Sequence, residues 1–236
     1  MKHLALAIVV FTLAGCGGGG GSDGGDGGDG GSGNTFPAGD LYNLADGESL
    51  FFVLTGSTIN SDGSSSTIIT RDYLASRQPN TTIEGSAAKS ILVNHGASNQ
   101  SSGGAIFYTF SKYFYPINGE ALISVEYHNG VQCFPGSEYR PVPLEVKIGD
   151  VGHLGGLSCS DATFNTTAYI VEESYRNADW AAITTFTTVS PPDGNESYAD
   201  TTSHIDSSGT VQALDFEFSD SRGNFINLRS VPDLPG

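Results

Sequence analysis

Val211-Gln212-Ala213-Leu214-Asp215-Phe216-Glu217-Phe218 places Leu214, Phe216 and Phe218 on one side of an extended chain and Asp215 and Glu217 on the other. A period of two is that of a strand with one buried and one wet face. Ala121 to Tyr127 repeats it, with Ile123, Val125 and Tyr127 alternating against Ser124 and Glu126. Beyond Phe36 short β-branched and aromatic runs are punctuated by Asn-Gly, Asp-Gly and Ser-Gly, which is strand-and-turn chemistry. No window of useful length has the helical period. The class is therefore all-β, an antiparallel meander of about twelve strands, with connections short enough for hairpins between sequential neighbours. That many strands must curl into a half-barrel, close into a barrel or split into a sandwich, and all three remain open.

The meander contains itself twice. Ala45-Asp46-Gly47-Glu48, Thr55-Gly56-Ser57, Ser61-Asp62 and a Thr-rich strand into Arg71-Asp72-Tyr73 parallel Ile148-Gly149-Asp150, Leu157-Ser158-Cys159, Ser160-Asp161 and a Thr-rich strand into Glu172-Glu173-Ser174-Tyr175. Ile117-Asn118-Gly119 and the turn at His128-Asn129-Gly130 then parallel Ile205 to Gly209 and the turn from Asp220 to Gly223. Each half reads as about six strands, so Gly47 should match Gly149 and Gly119 should match Gly209. Pro141 and Pro143 mark the junction, since a proline cannot donate to a ladder. The first repeat then spans 36–140 and the second 141–236, sharing one core.

Residues 17 to 33 are almost only Gly, Ser and Asp, with nothing to bury and nothing to offset the entropy of ordering them. They form a flexible tether, which the reading extends to 16–35, with an r.m.s. span of roughly 24 Å. Asp23, Asp26 and Asp29 recur every three residues, but a calcium loop needs converging ligands that this spacer lacks.

Ahead of the tether, Lys2 precedes an apolar run from Leu4 to Leu13, followed by Leu13-Ala14-Gly15-Cys16. The run is too short to cross a bilayer and has the form of a secretory signal over residues 1–15. Its end resembles the bacterial lipobox. That resemblance implies cleavage before Cys16, a diacylglycerol on its sulfur and a further acyl chain, such as palmitate, on its new amino group. Two or more chains anchor stably, so the lipid bilayer becomes the first partner, held through Cys16. In lipoproteins of Gram-negative bacteria an Asp after the cysteine signals inner-membrane retention; Gly17 in its place implies the outer membrane, on the periplasmic face. With its β-meander the chain resembles the uncharacterised all-β lipoproteins of the Gram-negative cell envelope. In architecture alone, a curled sheet would also resemble the unclosed barrels of periplasmic lipoprotein carriers.

The chain has 236 residues and a formal charge of −16; loss of the first fifteen, of which Lys2 alone is charged, leaves 221 residues and −17. Such acidity works against nucleic acid and anionic headgroups as partners. Cys133 and Cys159 remain as an even pair in an oxidising compartment, and a disulfide is expected, stapling the end of the first repeat to the start of the second. Closing their 26-residue separation is worth roughly 3.5 kcal/mol by chain entropy.

Catalytic chemistry finds little purchase. Gly156-Leu157-Ser158-Cys159-Ser160 approaches a nucleophile elbow, with His153 as a conceivable base, but lacks the last glycine and a following helix. His95, His128, His153 and His204 show no metal-ligand spacing, so neither a metal nor another cofactor is expected. Asp215 and Glu217 would lie roughly 7 Å apart, compatible with a glycosidase pair, yet two carboxylates on a wet face are ordinary in so acidic a chain. Tyr108, Phe110, Tyr113, Phe114 and Tyr115 crowd one strand and could wall a concave site for an apolar ligand if the sheet stays open. Trp180 falls in line with Ala182, Thr184 and Phe186 as a packed residue. The expectation is a non-enzymatic envelope lipoprotein that binds or scaffolds something, an envelope protein among the possible partners, with a carrier or chaperone for a lipid or other apolar ligand as the alternative.

Overall fold

The structure, a computed structural model, describes residues 34–38, 48–83, 85–99, 107–117 and 121–231. The signal, the lipobox with Cys16 and the tether up to residue 33 lie outside the described residues, as do Gly47 and Gly119. Among the described residues there are fourteen strands and no helix. The first seven are β1 (Thr35–Pro37), β2 (Ser49–Ile59), β3 (Ser65–Ile83), β4 (Ser86–Asn99), β5 (Phe107–Pro116), β6 (Ser124–Tyr127) and β7 (Gln132–Pro135). The second seven are β8 (Glu145–Lys147), β9 (Val151–Cys159), β10 (Phe164–Glu173), β11 (Ala181–Ser190), β12 (Ser197–Ile205), β13 (Val211–Asp220) and β14 (Phe225–Ser230).

Twelve strands close an antiparallel barrel in the order β10-β11-β12-β13-β14-β2-β3-β4-β5-β6-β7-β9, while β1 and β8 pair separately. One short strand followed by six barrel strands thus occurs twice, and 136–144, which holds Pro141 and Pro143, joins the two runs. The half-barrel and sandwich give way to a barrel because both edges of each run find partners. β14 pairs with β2 from Phe225↔Ile59 to Ser230↔Leu54, and β7 pairs with β9 from Cys133↔Cys159 to Pro135↔Leu157. At the first seam a side chain on Gly56 would begin 1.8 Å from the Asn227 carbonyl oxygen, so only glycine lets these strands approach.

The large apolar clusters lie inward, joined on β10 to β12 by the buried Thr167, Thr185, Thr187, Ser197 and Ser203. Leu214, Phe216 and Phe218 of β13 pack with Leu228, Leu54, Ile91, Val93, Tyr113 and Tyr115, all buried. At one end the β1/β8 pair plugs the barrel, where Phe36 and Val146 face Val171, Ile183 and Ile205 in a second cluster. Gly209, at φ +85°, turns there with the Pro37 carbonyl so close that a Cβ would lie 2.5 Å from it. The outward faces of β10 to β14 carry Thr, Ser, Asp, Glu, Asn and Arg among a few aromatics.

Cys133 and Cys159 are bonded, with S–S 2.01 Å. They stand directly opposite on β7 and β9, and the Ser160 N–H donates to the Gln132 carbonyl at 2.8 Å beside them. That makes them a non-hydrogen-bonded pair, the closer of the two antiparallel arrangements. The bond holds the last barrel strand of the first run to the first barrel strand of the second. Replacing both cysteines by alanine should cost about 2–4 kcal/mol, read as a lower urea midpoint with a slope unchanged or steeper, since the unfolded chain is freed to expand. An unchanged midpoint would show that the seam holds without it.

Candidate functional site

On the outer wall the strand register aligns Thr184, Thr202, Asp215 and Arg229 across β11 to β14, and Phe186, Asp200, Glu217 and Asn227 in the next row. On the other side of the first row, His204 lies between Ala182 and Ala213. Two small neighbours leave a slot over the imidazole, and the β10–β11 connection, 174–180, folds into it. The Ser174 N–H donates to the Trp180 carbonyl at 3.0 Å to close this loop, and Asn177 Oδ1 takes the Asp179 N–H at 3.0 Å.

The loop brings Ser174 Oγ to 2.7 Å from His204 Nδ1, and His204 Nε2 lies 2.9 Å from Asp215 Oδ2. Asp215 also accepts the Tyr175 phenol at 2.5 Å and the Arg176 guanidinium, whose Nη1 donates to the Ser230 carbonyl at 3.0 Å. The Tyr175 ring stands edge-on to His204 at 5.2 Å, with Arg176 and Arg229 over it at 5.5 and 5.4 Å. His204, Ser174 and Asp215 are all buried. Burial alone would raise the Asp215 carboxyl, but the hydrogen bonds from His204, Tyr175 and Arg176 outweigh it and hold its pKa at about 2. The Tyr175 phenol is raised, by burial first and then by its bond to that carboxylate.

Ser174, His204 and Asp215 have the composition of a nucleophilic relay. A relay also needs a serine open to substrate. Ser174 is buried and takes the Arg176 N–H at 3.2 Å, and neither it nor His204 lines the adjoining outer cleft of about 270 Å³. The network is built as a clip that pins the loop to the wall.

This corrects the sequence expectation for Asp215, placed there on a wet face beside Glu217. Glu217 is exposed and receives the Asn227 amide, whereas Asp215 is covered by a loop from forty residues away in the chain. The adjacent carboxylates are instead Asp200 and Glu217, directly opposite on β12 and β13, and burial followed by the Glu217 charge raises Asp200. Ser158 and His153 are both exposed, and His153 Nδ1 accepts the Gly155 N–H at 3.1 Å. His128 sits exposed in the β6–β7 turn, edge-on to Phe110 at 6.4 Å, and the side chains of His95 and Tyr108 lie outside the described residues. No group of three or more His, Cys, Asp or Glu among the described residues is placed to hold a metal ion. The β5 aromatics do not wall an open concave face, because the sheet closes. Tyr113 and Tyr115 fill the interior, Phe114 is buried on the opposite face, and Phe110 is exposed. Trp180 falls in the turn ahead of β11, half-buried, not in the strand row with Ala182.

The second concavity is the barrel's open end, opposite the plug. A cleft of about 240 Å³ lies among the turns at 128–131, 160–163, 191–196 and 221–224. Tyr127 and Asn165 are almost wholly buried at its base, 2 % and 1 % exposed. Neither Tyr127 Oη nor Asn165 Oδ1 has a hydrogen-bond partner among the described residues. The turns around it are tied together, Ser61 N–H to Asn224 Oδ1 at 3.0 Å and Ser221 N–H to the Glu196 carbonyl at 3.0 Å. Sequence reading took Tyr127 as core on its inward period and passed over Asn165. The available signal was an Asn at an inward position of a strand.

Fold and site together describe a twelve-stranded antiparallel barrel, plugged at one end and indented at the other. Comparison with known proteins adds no relative: no family model, no curated protein and no solved structure matches the chain.

Proposed function

We propose that the chain is a cell-envelope lipoprotein, anchored in the outer membrane through acylated Cys16, whose barrel is a non-enzymatic binding module in the periplasm. The observation that carries this reading is the barrel's inward aromatic cluster of Tyr113, Tyr115, Phe216 and Phe218, set behind an outer wall that carries Asp200, Asp215, Glu217, Asn227 and Arg229. A barrel so faced belongs in water, and attachment falls to the N-terminal cysteine that the lipobox resemblance identifies. The tether would leave the domain free of the headgroups, which suits its acidity.

The carrier reading, for a lipid or other apolar ligand, is the less favoured, because the interior rows that would hold an acyl chain are occupied by Tyr113, Tyr115, Phe216 and Phe218. Cys16→Ser is expected to move the protein from the membrane pellet to the soluble periplasmic fraction, with loss of metabolically incorporated palmitate. Retention of Cys16→Ser in the pellet after a high-salt wash would refute the anchor.

A further inference from the structure

A buried polar group without a partner costs about 1–3 kcal/mol, and two at the base of one small cleft are costly unless something enters to satisfy them. Asn165 Nδ2 faces Cys159 Sγ at 3.8 Å, which turns the amide's carbonyl oxygen away as the free acceptor. Tyr127 adds a phenol oxygen that is neutral at working pH, since burial, then Tyr139 and Asp161, push its ionisation far up. Val131, Val189, Pro191 and the Cys159 side of the disulfide supply apolar wall. Around them stand Asp161, Asp193 and Asp220, with Arg222 the one cation among the described lining residues. The three carboxylates take backbone N–H groups of their own turns, from Thr163, Asn195 and Arg222, and are thereby held in place.

Such a site has acceptors at its base, carboxylates at its rim and a short apolar wall between. It rejects anions, leaves a neutral polyol without a counter-charge, and suits a ligand that brings N–H donors and positive charge on a small aliphatic body. We propose that the open end of the barrel binds a small organic cation of the aliphatic amine class, its ammonium donating to Asn165 Oδ1 and Tyr127 Oη and its chain lying on Val131, Val189 and Pro191. This deepens the binding-module reading and rests on it.

The test is calorimetric titration of the full mature chain in detergent with putrescine and cadaverine, and with 1,4-butanediol and succinate as neutral and anionic counterparts. The expected result is one saturable site for a diamine, at least tenfold weaker binding of the diol, and none of succinate. Tyr127→Phe should weaken the diamine about fivefold or more while leaving the melting temperature unchanged or higher, because the hydroxyl it removes has no partner among the described residues. Asn165→Leu should weaken it similarly. Absence of saturable diamine binding, equal binding of putrescine and butanediol, or undiminished binding by both variants overturns the proposal. If the diol alone saturates the protein and Tyr127→Phe abolishes that, the cation class is wrong and the binding module stands. Failure of the envelope reading shows separately, in the fractionation of Cys16→Ser.

Discussion

Asp215→Ala is expected to destabilise the barrel by about 4 kcal/mol and to lower its melting temperature by roughly 10 °C. The carboxylate collects the Tyr175 phenol, the Arg176 guanidinium and His204 Nε2 in a site where its side chain is 11 % exposed. Its removal leaves a buried guanidinium and imidazole without their acceptor, which costs more than the pairing itself is worth. The 174–180 loop would lose its pin to the wall and uncover the β11–β12–β13 surface beneath.

The same site has a pH signature. The folded-state pKa of Asp215, about 2, lies below the ordinary 3.8, so its contribution is fully present above the ordinary value and is lost as pH falls through the folded one. The difference is about 2 kcal/mol. Unfolding free energies of wild type and Asp215→Asn, measured from pH 7 down to pH 2, should therefore converge by that amount below pH 4. Asp62, Asp193 and Asp206 are also lowered, but they titrate identically in both proteins and cancel in the comparison. Parallel curves would mean that the carboxylate is not held as described.

What the residues announced and what they concealed follow from the range of the forces involved. Leu214, Phe216 and Phe218 identify the inward face of β13 because a strand's period is local. His128-Asn129-Gly130 and Asp220 to Gly223 identify their hairpins because turn chemistry is local too. The pairing of Cys133 with Cys159 was legible from parity and compartment, and the structure adds that the two are cross-strand neighbours. Closure was not legible, since whether Arg229 meets Thr55 depends on the summed twist of every strand between them. The pairing of β1 with β8 was hidden for the same reason. Asp215 was misplaced because its own strand does put it outside; the covering loop comes from β10 and β11, and only the Ala182-His204-Ala213 row, read across three strands, makes room for it. Tyr127 and Asn165 both line the open end, from β6 and β10, strands that do not pair.

Residues 141 to 236 expressed alone should fail to fold cooperatively. In the whole chain β14 borrows β2 for an edge partner, β9 borrows β7 and β8 borrows β1. The isolated half would present three unpaired edges, a template for aggregation. Its inward face would fare worse. Leu214, Phe216, Phe218 and Leu228 pack against Leu54, Ile91, Val93, Tyr113 and Tyr115 of the other half, so a curled six-strand sheet would expose to water most of what the barrel buries. The large cluster draws on both runs of strands, so the second half keeps only the smaller cluster around Val146, Val171, Ile183 and Ile205, itself stripped of Phe36 and Ala38. The expected result is a broad, low-amplitude melt and concentration-dependent association on sizing, with a sharp transition restored when residues 34 to 140 are refolded together with it. A soluble monomer of 141 to 236 with a steep, two-state transition would mean that each half carries its own core, and the shared interior would have to be abandoned.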